Sequence, residues 1–162
     1  MTVWQTIVNT FASEFSDLSD IENATRVTIR LILATVLGGI LGWEREHQGK
    51  AAGIRTHMLV CLGAVLFVVA ADRSGAMDDA LSRVVQGVIA GVGFLCAGTI
   101  IKTDSQQDVR GLTTAAGIWF TAAIGVALGL GNETTAIVST LLALLVLHVV
   151  PLVFPKSHEQ EQ

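Results

Sequence analysis

Five long apolar segments decide most of what this chain can become. They run roughly over residues 27–43 (VTIRLILATVLGGILGW), 54–71, 84–101 (VVQGVIAGVGFLCAGTII), 112–130 (LTTAAGIWFTAAIGVALGL) and 134–154. A helix needs about 20 apolar residues to cross the hydrocarbon core of a bilayer, within a range of about 17–25. All five segments reach that range. In lipid every backbone N–H and C=O must find its partner inside the segment, so the spanning form is helical. The expectation is an all-α polytopic membrane protein with five transmembrane helices.

Composition points the same way. Hydrophobic residues make up 51% of the 162 and charged residues only 15%. The mean hydropathy is +0.61, too apolar for an ordinary soluble domain of this size. The net charge of −4 and the lack of a basic run argue against a nucleic-acid partner. The lipid bilayer is the partner that the composition implies. The first 25 residues hold no Lys or Arg but do hold Glu14, Asp17, Asp20 and Glu22. They do not read as a signal peptide, and insertion falls to the spanning helices themselves. Cys61 and Cys96 both lie inside apolar runs and read as small packing residues, without partners for a disulfide or a metal.

Ahead of the first span, residues 3–15 place Val3, Trp4, Ile7, Val8, Phe11 and Phe15 at helical spacing among polar neighbours. That pattern predicts an amphipathic helix on the membrane surface or against the bundle. Ser19-Asp20-Ile21-Glu22 has the spacing of a capping box, which makes Ser19 the expected start of the first long helix. The organisation expected is an amphipathic N-terminal helix over 1–18, a five-span domain over 19–155 and a short tail over 156–162.

Basic residues orient the chain. Arg45, Lys50 and Arg55 lie between spans one and two, Lys102 and Arg110 between spans three and four, and Lys156 in the tail. The opposite side has Arg26, Arg73 and Arg83 against eight acids. The positive-inside rule then sets the N-terminus outside and the C-terminus in the cytoplasm.

Glycines recur four apart as Gly38 and Gly42, Gly87 and Gly91, and Gly125 and Gly129. Small residues at that spacing allow helices to approach closely, within one bundle or between copies of the chain. GVGFLCAG at 91–98 lacks the third glycine of a dinucleotide fingerprint and sits inside a span, so it carries no nucleotide site.

Charge is concentrated in GWEREHQGKAAGIRTHMLV, residues 42–60. Trp43 suits a membrane interface, and Glu44, Arg45 and Glu46 follow it. Gly49 and Gly53 permit a tight reversal into Arg55, Thr56 and His57. Two readings stand: a charged turn that pins a hairpin, or a polar pocket whose further wall is residues 102–114, with Arg110, Thr113 and Thr114. Arg30 lies about one turn inside the first span. It either snorkels to the surface or needs a buried partner, with Asp72 and Asp78 available and Arg83 and Gln86 on the same side. His148, deep in the fifth span, reads as a neutral packed ring.

No catalytic set assembles: the chain has no CxxC, no HExxH and no plausible Ser/His/Asp arrangement. No cofactor is implied. Magnesium would suit oxygen ligands such as the pairs Glu44 with Glu46, Asp78 with Asp79, or Asp104 with Asp108. Most of these read as solvated loop charge, so the metal question stays open.

The run R-L-x-x-A-x-x-x-G-G-x-x-G-x-E-R-E-x-x-x-x-A-A-G-x-R-T-H-x-L-V, from Arg30 to Val60, resembles the signature of the MgtC/SapB family of bacterial inner-membrane proteins. GVIAGVGFLCAGTIIK and VRGLTTAAGIWFTAAIGVALGLG resemble the family's other two blocks, so the likeness covers roughly residues 26–131. It implies five spans and a cytoplasmic C-terminus. It also implies a link to growth at low magnesium and, in pathogens, to survival inside host phagocytes. Family members are named beside a magnesium-transporting ATPase yet are regarded as regulators. The positions carried over as the family's polar set are Arg30, Glu44, Arg45, Glu46, Arg55, Thr56, His57, Arg83, Arg110, Thr113 and Thr114. Cys96 stands where the family usually has glycine, and the sequence matches the short form without the ACT-type C-terminal domain of longer members.

The function expected is a non-enzymatic membrane regulator that contacts other membrane proteins, with homo-oligomers as a further option. The alternative is a carrier or channel for a small solute or ion, with its polar site at the cytoplasmic mouth. An intramembrane enzyme would need a nucleophile and base meeting at membrane depth, and the sequence offers none.

Overall fold

Apolar length sets the helices, and polar residues set where they stop. In the computed structural model, which describes residues 2–14, 20–73, 78–102 and 109–153, the chain forms six helices. They are α1 (Val3–Glu14), α2 (Ile21–His47), α3 (Ile54–Arg73), α4 (Asp78–Thr99), α5 (Leu112–Gly129) and α6 (Glu133–Val153). The last five are each long and apolar enough to cross a membrane. A two-residue antiparallel ladder, Ile101 with Arg110 and Lys102 with Val109, joins the end of α4 to the start of α5. The protein is thus an all-α membrane protein of five spans.

Two boundaries differ from the sequence expectation. The cap of α2 is Asp20, whose carboxylate accepts from the backbone N–H groups of Glu22 (3.1 Å) and Asn23 (3.4 Å). Ser19 lies outside the described residues, as does Phe15. A carboxylate is as good a cap as a hydroxyl and complements the positive end of the helix dipole. At the other end α2 runs on through Glu44, Arg45 and Glu46 to His47. The acid-base run is therefore the last helical turn and not part of the turn itself. At about 1.5 Å per residue, the 27 residues of α2 span about 40 Å, enough to carry both ends into the headgroup layers. The reversal occupies only residues 48–53. It needs a left-handed residue, supplied by Gly49 at φ 66°.

α3 and α5 are the centre of the bundle, and close glycine contacts position them. A Cβ on Gly42 would stand 2.5 Å from Ile54 Cα, and one on Gly38 would stand 2.8 Å from the His57 carbonyl, so α2 lies directly on α3. A Cβ on Gly125 would collide with the Cys61 carbonyl, and one on Gly129 would stand 2.6 Å from Val68 Cβ. α5 therefore runs parallel to α3 at the same close range. Lipid tails are as apolar as leucine, so such packing, and not hydrophobic burial, holds spanning helices together. Ala34, Leu37, Leu41, Cys61, Val65 and Leu128 fill the middle of the bundle.

α4 and α6 are peripheral. Close packing at Gly87 and Gly91 is not found among the described residues, where a Cβ on either would meet nothing within 4 Å. Cys96 does link α4 to α5, its thiol donating to the Ala115 carbonyl at 3.2 Å. His148 is exposed on α6 and is not a packed ring. α1 buries none of its residues, and Trp4 (72% exposed) and Phe11 (66%) leave its apolar face uncovered. Among the described residues it makes no extended contact with the bundle, and such an apolar face suits a membrane surface.

Candidate functional site

The polar residues collect at the two ends of the bundle. At one end Arg30 of α2 donates from Nη1 to the Gly129 carbonyl (2.9 Å) and from Nε to Glu133 Oε1 (3.3 Å). Gly129 ends α5 and Glu133 begins α6. One guanidinium thus satisfies an orphan carbonyl at a helix C-terminus and an acid at a helix N-terminus. The partner is Glu133 and not Asp72, while the side chain of Asp78 lies outside the described residues. A Cβ on Gly131 would stand 2.5 Å from Arg30 Nη2, so the turn between α5 and α6 is shaped around this side chain.

At the other end the last turn of α2 meets the first turn of α3. Glu46 Oε2 accepts from the Ile54 N–H at 2.9 Å, capping α3. Glu44 Oε1 accepts from the Gln48 amide. The other Glu44 oxygen lies 3.5 Å from Arg45 Nη1. His57 Nδ1 lies 3.0 Å from the Gly53 carbonyl. Trp43 stacks on His47 with ring centroids 5.6 Å apart.

Arg45 and His57 are 2% and 1% exposed. Arg45 Nε and Nη2, His57 Nε2 and Glu44 Oε2 are buried without a hydrogen-bond partner. Such orphans are rare, and each costs about 1–3 kcal/mol, more when charged. Arg45 and His57 line a cleft of about 500 Å³ that also takes Thr113, Gly117 and Phe120 from α5 and Ser139 from α6. A Cβ on Gly117 would stand 3.5 Å from His57 Nε2, so the glycine keeps space open in front of that nitrogen. The remaining wall is apolar, with Leu41, Leu142, Ala143 and Val146 among it. A concave, mostly apolar space with a few convergent polar groups is the usual form of a small-ligand site.

Of the polar positions expected from the sequence, the fold brings Arg45, His57 and Thr113 to this cleft, with Glu44 beside Arg45. Glu46 serves as a cap. Arg55 and Thr56 are exposed on the outside of the same turn, and Arg110 is exposed beyond it. Thr114 is buried in the first turn of α5. Arg30 belongs to the far end, and Arg83 is exposed on α4. Gly117 and Ser139 were not expected. Gly117 sits inside a sequence block that resembles the family, but only the packing of α5 against α3 shows which side chain it faces. Among the described residues no group of three or more His, Cys, Asp or Glu could hold a metal ion. One oxygen of each of Glu44 and Glu46 is hydrogen-bonded within the protein.

The sequence relationships agree with this arrangement. The chain is 44% identical over 132 residues to Protein SrpB of Synechococcus elongatus, which covers 75% of this chain and 72% of that protein. It is 43% identical over 128 residues to a protein of Escherichia coli strain K12 named "Putative magnesium transporter YhiD", covering 75% of this chain and 59% of that one. It is 37% identical over 116 residues to Protein MgtC of Salmonella typhimurium strain LT2, covering 72% of this chain and 48% of MgtC. The chain thus spans about half the length of MgtC. No solved structure matches it. The model of the MgtC family matches residues 31–154, from inside α2 to just beyond α6. That match takes in all five spans and the cleft residues alike, and the chain belongs to the MgtC family of multi-pass membrane proteins.

Proposed function

We propose that this protein is a non-enzymatic membrane regulator linked to adaptation to low magnesium and, in a pathogen, to survival in host phagocytes. It lies in the bacterial inner membrane with its N-terminus outside and the Arg45 end in the cytoplasm, and it acts through contacts with other membrane proteins. The closed middle of the bundle carries this reading. Leu37, Cys61, Val65, Ile124, Leu128 and Ala136 are buried against one another there. The buried hydroxyls nearby are satisfied within their own helices, Thr121 by the Gly117 carbonyl (2.9 Å) and Thr140 by that of Ala136 (2.8 Å). A carrier needs a polar path through this depth, because a hydrated ion has no partners among such side chains. The magnesium link rests on the family and on the name given to the Escherichia coli relative. The uncovered apolar faces of α4 and α6 are where partner helices would dock.

Growth at low magnesium tests the regulator. Glu44→Gln and Arg55→Ala are each expected to abolish complementation while the protein still inserts. Full activity of both variants would reduce the charged turn to a hairpin pin. Flux of magnesium through liposomes holding the purified chain would replace the regulator with the carrier reading. That alternative draws on one observation, the cleft at the Arg45 end.

A further inference from the structure

We propose that the cleft at the Arg45 end binds an anionic amphiphile, with its headgroup held by Arg45 and His57 and its apolar body lying between α5 and α6. This inference stands on the cleft alone and is independent of the regulator reading.

A guanidinium offers five N–H donors in a fixed fork. Nε–H and one N–H of Nη2 leave the same edge in parallel, at the spacing of two oxygens on a carboxylate or phosphate. In Arg45 this is the edge without a partner, while Nη1 faces Glu44 at 3.5 Å. Arg45 is 2% exposed, so water does not serve that edge from outside. A buried charge with open donors is costly unless something pairs with it. The site therefore asks for an oxyanion.

His57 narrows the class. A carbonyl oxygen only accepts, so Nδ1 donates to Gly53. The neutral ring then presents Nε2 as an acceptor, and Nε2 is also buried without a partner. The ligand must carry an O–H or N–H donor near its oxyanion. The hydroxyls of Thr113 and Ser139 line the same cleft and can meet further headgroup oxygens. A phosphodiester with a hydroxylated headgroup, as in phosphatidylglycerol, supplies both halves. A phosphocholine headgroup supplies the oxyanion but no donor.

Access argues for an amphiphile over a free anion. The exposed lining residues are Thr113 and Ala116 on α5 and Leu142 and Val146 on α6. The mouth therefore opens between two spanning helices, toward lipid. Arg45 lies two residues before the end of α2 and His57 three after the start of α3, which is headgroup depth. From Thr113 to Phe120 the lining descends α5 by about two turns, about 10 Å. A lipid chain can follow that wall. It gains little energy in doing so, since it leaves an equally apolar bilayer; selectivity comes from the headgroup.

The test is native mass spectrometry of the full chain, released from membranes of equal phosphatidylglycerol and phosphatidylcholine. A second arm adds soluble glycerol phosphate. Two variants accompany the parent: Arg45→Met with Glu44→Gln, which removes the charged pair together, and Gly117→Val, which fills the space before His57 Nε2. The parent is expected to retain phosphatidylglycerol over phosphatidylcholine by about tenfold or more, and both variants to lose that preference. Equal retention of the two lipids, or a preference unchanged in the variants, overturns the proposal. Displacement of the lipid by glycerol phosphate at equal concentration would overturn the amphiphile and leave a soluble oxyanion in its place. If the double variant does not fold, Gly117→Val still decides, because the Cβ it adds meets only His57 Nε2, at 3.5 Å.

Discussion

Two arginines of α2 sit at opposite ends of the bundle, and the fold treats them differently. Arg30 is tied on two of its nitrogens, to the Gly129 carbonyl and to Glu133. Arg45 is more deeply buried, yet among the described residues its only close acidic neighbour is Glu44 at 3.5 Å, and one whole edge of its guanidinium is open. A partnered charge at a helix junction is a fastener. One whose only ion pair is a loose 3.5 Å contact, with the other edge of its guanidinium unpaired beside a cleft, weakens the protein until something binds it. The contrast teaches which buried charge to read as architecture and which to read as a site, and burial alone would have ranked them the wrong way round.

The contrast can be broken by removing each in turn. Arg30→Met discards two charge-assisted hydrogen bonds and strands Glu133, at a site where the arginine is half-buried and the glutamate partly exposed. It is expected to lower stability by about 2–3 kcal/mol, read as a clear fall in Tm of the detergent-purified protein. Arg45→Met with Glu44→Gln is expected to do the opposite. Replacing a poorly satisfied buried pair by an apolar side chain and a neutral amide should leave Tm unchanged or raise stability by about 1–2 kcal/mol. A loss as large as that of Arg30→Met would mean that the Arg45 edge is structurally satisfied after all.

Smaller effects sharpen the picture. Glu133→Gln keeps an oxygen for Arg30 Nε and removes only the charge, at a partly exposed site. It is expected to cost about 0.5–1 kcal/mol in the same melting experiment. Arg55→Ala, on an exposed residue of α3, is expected to change stability by less than about 0.5 kcal/mol. Since the same variant is expected to fail in low-magnesium growth, it separates function from folding at the Arg45 end. Loss of both together would make Arg55 a structural residue.

Much of the fold was legible in the sequence. The five spans follow from apolar length, and the amphipathic α1 follows from the spacing of Trp4, Ile7, Val8 and Phe11. The close approach of α3 to α2 and α5 falls at glycines that the four-residue spacing had marked. The same spacing misled at Gly87 and Gly91. A small residue permits contact without supplying the helix that makes it, and among the described residues no atom comes within 4 Å of where a Cβ on either glycine would stand. The cap moved from Ser19 to Asp20 because adjacent residues both had cap chemistry, and only the backbone path chooses between them.

The candidate site was legible in part. Charge concentration pointed to residues 44–57, but not to which of them turns inward. One helical step separates Arg45 in the cleft from Glu46 capping α3, and two positions separate exposed Arg55 from buried His57. Gly117 and Ser139 carry no charge and left no signal, because their part is to frame space and add a hydroxyl.

By itself, the sequence determined that this protein lives in a bilayer, crosses it with five helices, and gathers charge at their ends. Those are properties of single segments, fixed by the cost of unpaired backbone and of charge in hydrocarbon. Only the tertiary structure decided that Glu133 completes Arg30, and that α5 and α6 open a cleft over Arg45 and His57. Such pairings join residues about 60 to 100 positions apart. They depend on how far each helix has turned about its axis when glycine-lined surfaces close, which no single segment specifies.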